Sequence, residues 1–166
     1  MINVDRKTVG DLSYRYQMPK VNIRFGGAGN GKYTIIENMD EIGLAINSPP
    51  EIIFKYISYS FGALFNDKNK SISGYYNNIE IQNKIYDYID GFILCNTCSI
   101  PEVQYSLEKI SAKKSNLTSR CSACGTANNI KSTKINDKCV ESIIKYLTKE
   151  GSWVEANGNM VSQIII

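Results

Sequence analysis

Leu94-Cys95-Asn96-Thr97-Cys98 and Cys121-Ser122-Ala123-Cys124 decide the fold of this chain. Each holds a C-x-x-C pair, and 22 residues lie between Cys98 and Cys121. A C-x-x-C knuckle turns the backbone so that both sulfurs face one point. Two knuckles supply four thiolates in a tetrahedron, the arrangement that suits Zn²⁺. The residues between them then form the short strands of a zinc ribbon. The chain has no histidine, so an all-cysteine set is its one conventional structural zinc site. Two disulfides or two redox dithiols are the alternative. A four-sulfur site is coordinatively closed, so the metal is expected to hold structure and not to catalyse.

Outward from the cysteines, composition sets the bounds. The chain has 166 residues, enough for one medium domain or two small ones, and 43% of them are hydrophobic, enough for a packed core. Net charge is +3, which permits nucleic-acid contact without predicting it. No apolar run approaches the ~20 residues needed to cross a bilayer, so no membrane role is expected. The polar, mixed-charge start, residues 1–11, is not a targeting helix. A thiolate metal site fits a reducing, cytoplasmic setting.

Read in order, residues 1–19 show no periodicity and are expected to be a mobile N-terminal tail. Residues 20–92 read as an α+β subdomain. In 20–25, Val21, Ile23 and Phe25 alternate with Asn22 and Arg24, a half-buried strand. Gly26-Gly27-Ala28-Gly29-Asn30-Gly31 follows, then Tyr33-Thr34-Ile35-Ile36, a second strand. The glycine run lacks G-x-x-x-x-G-K-[ST] order and precedes a strand, so it reads as a hairpin tip and not a phosphate loop. Asn38 is expected to cap a helix over 39–46, and Ser48, before Pro49-Pro50, a helix over 51–60. A hairpin around 66–70 and a helix over 79–92 complete the unit. The last carries the stripe Ile81, Ile85, Tyr88, Ile89 and Phe92. The ribbon occupies 93–135, with strands over 101–107 and 116–120. A C-terminal helix capped by Asp137 and a hairpin around Asn157-Gly158 fill 136–166. Cys139, on that helix, has no C-x-x-C partner and reads as structural.

The strings Tyr14-Arg15-Tyr16-Gln17-Met18-Pro19, Gly29-Asn30-Gly31, Asn38-Met39, Pro49-Pro50, Lys55-Tyr56, Phe61-Gly62-Ala63, Asp90-Gly91-Phe92-Ile93 and Leu94-Cys95 stand ahead of the ribbon in this order. Together they resemble the N-terminal domain of the eukaryotic translation initiation factor 5 family over roughly residues 1–147. The beta subunit of initiation factor 2 shares that architecture. The resemblance implies an initiation-factor-1-like α/β subdomain joined to a zinc ribbon. It also implies a regulator, not an enzyme, that stimulates GTP hydrolysis by initiation factor 2. The expected partners are that factor's GTP-bearing gamma subunit, the small ribosomal subunit, initiator tRNA and the mRNA start codon. The family's tail arginine matches Arg15, which would act in trans on the partner's GTP. Lys55 matches a second family residue tied to activation. The loop facing tRNA and the start codon matches Gly29, Asn30 and Gly31, with Lys32 as a phosphate contact.

The chain departs from the family at two loop lysines. Ala28 replaces one, and Tyr33 the other, with Lys32 one place earlier; in a strand that shift turns the side chain to the opposite face. Full-length relatives continue through an acidic linker into a helical domain, whereas this sequence stops at Ile166. Either the sequence is a trimmed piece or it is a natural short form; residues 153–166 do not resemble that linker, which favours the natural short form. The altered lysines favour an alternative: a non-activating module that binds ribosome and initiator tRNA, or a competitor that stabilises start-codon pairing.

Overall fold

The computed structural model describes residues 1–153. Its first segment corrects the expectation of a mobile tail. Strand β1 (Ile2–Asn3) pairs antiparallel with β2 (Gln17–Met18), matching Ile2 to Met18. A 3-10 turn, Arg6–Thr8, lies between them, and Val4 and Met18 are fully buried. The polar side chain of Asn3 organises the connection: its Nδ2 donates to the carbonyls of Thr8 at 2.8 Å and Asp11 at 3.0 Å. Asp5 accepts from the Lys7 N–H, and Asp11 from the N–H and hydroxyl of Ser13. Because side-chain hydrogen bonds and not an apolar stripe fix this arm, it shows no hydrophobic period.

β3 (Ile23–Gly26) and β4 (Tyr33–Ile36) form the expected hairpin. Val21 and Ile36 are buried, but Phe25 is 50% exposed on the edge strand, with Tyr75 beside it. The predicted inward alternation therefore stops before Phe25. α1 (Met39–Ile46) ends at Asn47 in the left-handed region, and α2 (Pro50–Phe61) ends at Gly62. Asn38 occupies the N-cap of α1 but makes no side-chain cap bond, and Ser48 is not the N-cap of α2. The Asn38 side chain instead ties down the entry to β3, donating to Lys20 O and accepting from Asn22 N. Pro49 occupies the N-cap of α2, while the Ser48 hydroxyl meets Tyr88 Oη at 2.7 Å inside the core.

β5 (Phe65–Asn66) and β6 (Ser71–Ser73) complete a four-stranded antiparallel sheet in the order β3-β4-β6-β5. α3 (Asn78–Tyr88) starts in a capping box, with Asn77 and Glu80 each bonding the other's backbone N–H. It runs into a π-helical turn, Ile89–Ile93, that leads directly to Cys95. The five stripe residues of this helix are all buried. β7 (Val103–Ser111) and β8 (Lys114–Cys121) make the ribbon, longer than its sequence suggested, with a bulge between Lys109 and Ser111. α4 (Lys134–Glu150) is capped by Thr133, not Asp137, whose carboxylate accepts from Ser132. The hairpin predicted at Asn157-Gly158 lies outside the described residues.

α2 forms the centre, packed against α1, α3 and α4. An aromatic chain crosses from it into the ribbon. Tyr56 meets Tyr88 at 5.4 Å, Tyr88 stacks on Phe92 at 5.3 Å, and Phe92 meets Tyr105 of β7 at 6.4 Å. Tyr105 meets the buried Trp153 at 4.8 Å and donates to Phe92 O. The sheet, the helices and the base of the ribbon thus share one core in a mixed α+β fold.

Candidate functional site

The two cysteine knuckles are built alike. In the first, the Ser99 N–H reaches Cys95 O, and the Cys95 N–H reaches Ile100 O. In the second, the Gly125 N–H reaches Cys121 O, and the Cys121 N–H reaches Thr126 O. Both turns close on a residue of positive φ, Ser99 at 60° and Gly125 at 76°. The knuckles face each other so that all four sulfurs lie within 4.8 Å of one another, with Cys95–Cys124 and Cys98–Cys121 at 3.6 Å. No disulfide forms among the described cysteines. Around a tetrahedral metal with bonds of about 2.3 Å, sulfurs stand roughly 3.8 Å apart, so these four can hold one ion.

Groups around the sulfurs also suit a metal. Burial opposes ionisation of Cys95, but the N–H groups of Cys98 and Thr97 and the Asn128 amide outweigh it, pulling its thiol down to about 6. Asn128 Nδ2 lies 3.5 Å from Cys95 Sγ, and its Oδ1 accepts from the Asn96 N–H. Thr126 Oγ1 lies 3.3 Å from Cys124 Sγ. Sequence reasoning missed both: Thr126 acts locally, two residues after Cys124, whereas Asn128 reaches Cys95 only once folding brings its loop back to the first knuckle. Cys139 is apart from this cluster: it is buried on α4, and burial pushes its thiol up to about 12.

Arg15 stands at the end of the N-terminal arm, one residue before the Tyr16 carbonyl that accepts from Val4 N. It is exposed, with its guanidinium 5.6 Å from the Tyr16 ring centroid. Among the described residues no carboxylate pairs with it. Burial, followed by the neighbouring Glu102 carboxylate, raises the Tyr16 phenol, which places the arm against the start of the ribbon. Its other end is clamped to the end of α3 and the π-helical turn after it. Arg6 Nη2 lies 2.6 Å from Asp87 and 2.6 Å from Asp90, and Arg6 Nε donates to Asp90 at 2.9 Å. Charged side chains tie down a start that has no hydrophobic period.

Lys55 lies on α2, half-buried, with its ammonium 3.3 Å from Glu51 one turn earlier. Gly29–Gly31 form a 3-10 turn at the exposed tip of the β3–β4 hairpin. Gly27 shapes that tip: its φ is +72°, and a Cβ there would stand 1.9 Å from Gly31 O. Lys32 is exposed, and its ammonium lies 5.2 Å from the Tyr75 ring centroid. Tyr33 folds its ring over Gly26, where a Cβ would come within 2.4 Å of it. The fold assembles the four cysteines. Arg15, Lys55 and the tip sit on three separate elements, with no hydrogen bond, ion pair or ring contact joining them among the described residues.

Comparison with known proteins bears on this arrangement. The family described as a domain found in initiation factors 2B and 5 matches residues 6–127, from the arm's clamp through the second knuckle. Eukaryotic translation initiation factor 5 of Caenorhabditis elegans is 40% identical over 128 residues, covering 75% of this chain and 28% of that protein. The Drosophila melanogaster factor is 36% identical over 150 residues, 87% of this chain and 30% of the relative. The Mus musculus factor is 36% identical over 128 residues, 75% and 29% of the two chains. The chain thus spans a little under a third of these relatives. It belongs to the domain family shared by initiation factors 2B and 5, as a relative of the N-terminal domain of eukaryotic translation initiation factor 5.

Proposed function

We propose that this chain is a translation initiation factor that stimulates GTP hydrolysis by initiation factor 2 on the small ribosomal subunit as the start codon is recognised. The GTP belongs to the partner's gamma subunit, and this chain supplies Arg15. The observation that carries the reading is the presentation of Arg15: exposed, without a carboxylate partner among the described residues, on an arm anchored at both ends. Phosphoryl transfer develops negative charge on the transferred group. A permanently charged, forked guanidinium brought in from outside stabilises that charge without proton transfer. Anchoring the arm lowers the entropy lost when the arginine docks. Lys55, held by Glu51, serves the contact surface on α2. The tip, Gly29, Asn30, Gly31 and Lys32, faces initiator tRNA and the start codon, where a bare glycine turn allows close backbone approach.

The metal in this reading is zinc, bound by Cys95, Cys98, Cys121 and Cys124. All four donors are soft sulfurs, and the closed set gives the ion a folding role only. Asn128 and the N–H groups of Cys98 and Thr97 favour negative charge on Cys95 Sγ.

Single-turnover GTP hydrolysis in reconstituted initiation complexes tests the proposal. The wild-type chain should accelerate hydrolysis by about 10³ or more, and Arg15→Ala should abolish most of that gain. No acceleration, with small-subunit binding retained, favours the second reading of a non-activating ribosome and tRNA module. One structural feature speaks for that reading: Tyr33, where the family carries a lysine, lies folded over Gly26 and presents no charge.

A further inference from the structure

The hairpin tip carries an exposed aromatic pair that the fold does not use. Phe25 and Tyr75 are 50% and 44% exposed, with ring centroids 4.8 Å apart and planes tilted by 43°. The contrast with the next residue is direct. Tyr76 stacks on Phe61 at 4.0 Å at the margin of the core. Tyr75 turns the other way, into solvent. Its hydroxyl donates to Gly27 O at 2.9 Å, which fixes the ring against the base of the glycine turn. Lys32 stands over the same ring at 5.2 Å.

Lys32 also lines a groove between the β3–β4 tip and the β5–β6 turn, whose lining does not include Phe25 or Tyr75. Asn30, Asn66, Lys68 and Asn69 line it with Lys32. Among the described residues neither lysine has a carboxylate within ion-pair distance, and Asp67 is engaged by Lys70 at 2.9 Å. The local charge is therefore positive, and the lining is rich in amides able to bond base edges.

We propose that Phe25 and Tyr75 form a stacking platform for an unpaired RNA base, with Lys32 contacting the adjoining phosphate. Every base offers a π-face, so stacking binds single strands with little sequence preference, and a neighbouring cation adds phosphate attraction. The platform rests on the proposed function only in taking the tip to face RNA.

The test uses the whole chain and a labelled single-stranded oligoadenylate with one 2-aminopurine, followed by anisotropy and by 2-aminopurine emission. The wild-type chain should bind the single strand more tightly than a duplex of equal length and quench the 2-aminopurine. Phe25→Leu and Tyr75→Leu keep the apolar volume but remove the π-face. Each should weaken binding about 5- to 150-fold with the salt dependence unchanged. Lys32→Ala should instead lower the salt slope by about one. Tyr75→Phe, which keeps the ring, should bind nearly as wild type. Leucine variants that bind normally, equal affinity for duplex, or binding without quenching would each overturn the platform. So would no binding at all, which would leave the pair to a protein partner. Since this binding assay does not measure GTP hydrolysis, loss of Arg15-dependent activation would sink the proposed function and leave the platform standing, and the reverse also holds.

Discussion

Arg6→Ala should release the arm that carries Arg15 while leaving the rest of the fold closed. Arg6 bridges two carboxylates, Asp87 of α3 and Asp90 of the π-helical turn that follows it, with contacts of 2.6, 2.6 and 2.9 Å. These side chains are 35–40% exposed, so solvent screens them and each pair contributes only about 0.2–1 kcal/mol. Removing the arginine also leaves Asp87 and Asp90 facing each other uncompensated, and loses a cation–π contact, 5.7 Å to the Tyr86 ring. The sum is about 1–2 kcal/mol, a factor of roughly 5–30 in an opening equilibrium. That loss falls on the arm, because β1–β2 is only two residue pairs long.

Amide hydrogen exchange reads this directly. The Val4 N–H, bonded to Tyr16 O at 2.9 Å, and the Thr8 N–H, bonded to Asp5 O at 3.0 Å, report the closed arm. Their exchange should rise about 5- to 30-fold in Arg6→Ala, with amides of α2 and α3 unchanged. Asp87→Asn with Asp90→Asn should reproduce the effect, and high salt should move wild type towards the variants. Unchanged arm amides would refute the clamp. Equal acceleration throughout the chain would show that Arg6 supports global stability instead. In the GTP hydrolysis assay, the same variant should slow the maximal rate, since Arg15 remains but is no longer held in place.

Three further outcomes follow from the geometry. With a strong chelator present, the four ribbon cysteines should react with a thiol reagent while buried Cys139 stays protected, and the ribbon should lose structure as metal leaves; five reactive thiols would mean that the shared core opens too. Burial, with Asp5 and Asp87 as respective neighbours, raises Tyr14 and Tyr56 to about 12, and burial raises Cys139 to about 12. The unfolded chain ionises these groups first, so their stabilisation is intact below about pH 9 and lost as pH climbs towards 12; denaturant titrations that show no fall from pH 9 to 11 would contradict this. Gly27→Ala should cost more stability than Gly29→Ala. Both have positive φ, about 1 kcal/mol or more for a side chain, but only Gly27 would also drive a Cβ into Gly31 O; equal melting temperatures would refute the clash.

What could be read from the sequence followed from repetition. The stripe Ile81, Ile85, Tyr88, Ile89 and Phe92 recurs at helical spacing, and the cysteines recur as two equal knuckles, so both were legible before folding. What escaped was the work of single polar side chains. Asn38 and Ser48 stand where caps belong, yet one bonds across to Lys20 and Asn22, and the other meets Tyr88 within the core. Local sequence cannot distinguish these uses, because the competing partners lie 16 to 40 residues away. The arm is the extreme case: Asn3, Asp5, Arg6 and Asp11 look like a solvated tail, and each makes a specific bond. This bears on the proposed function, in which an arginine acting in trans gains from being presented at fixed geometry. Polar anchoring supplies that geometry without covering Arg15 with apolar side chains, which leaves the guanidinium open to a partner. The exposed Phe25–Tyr75 pair at the tip escaped for a related reason, as alternation assigned Phe25 to the core and only the edge position of β3 turns it out.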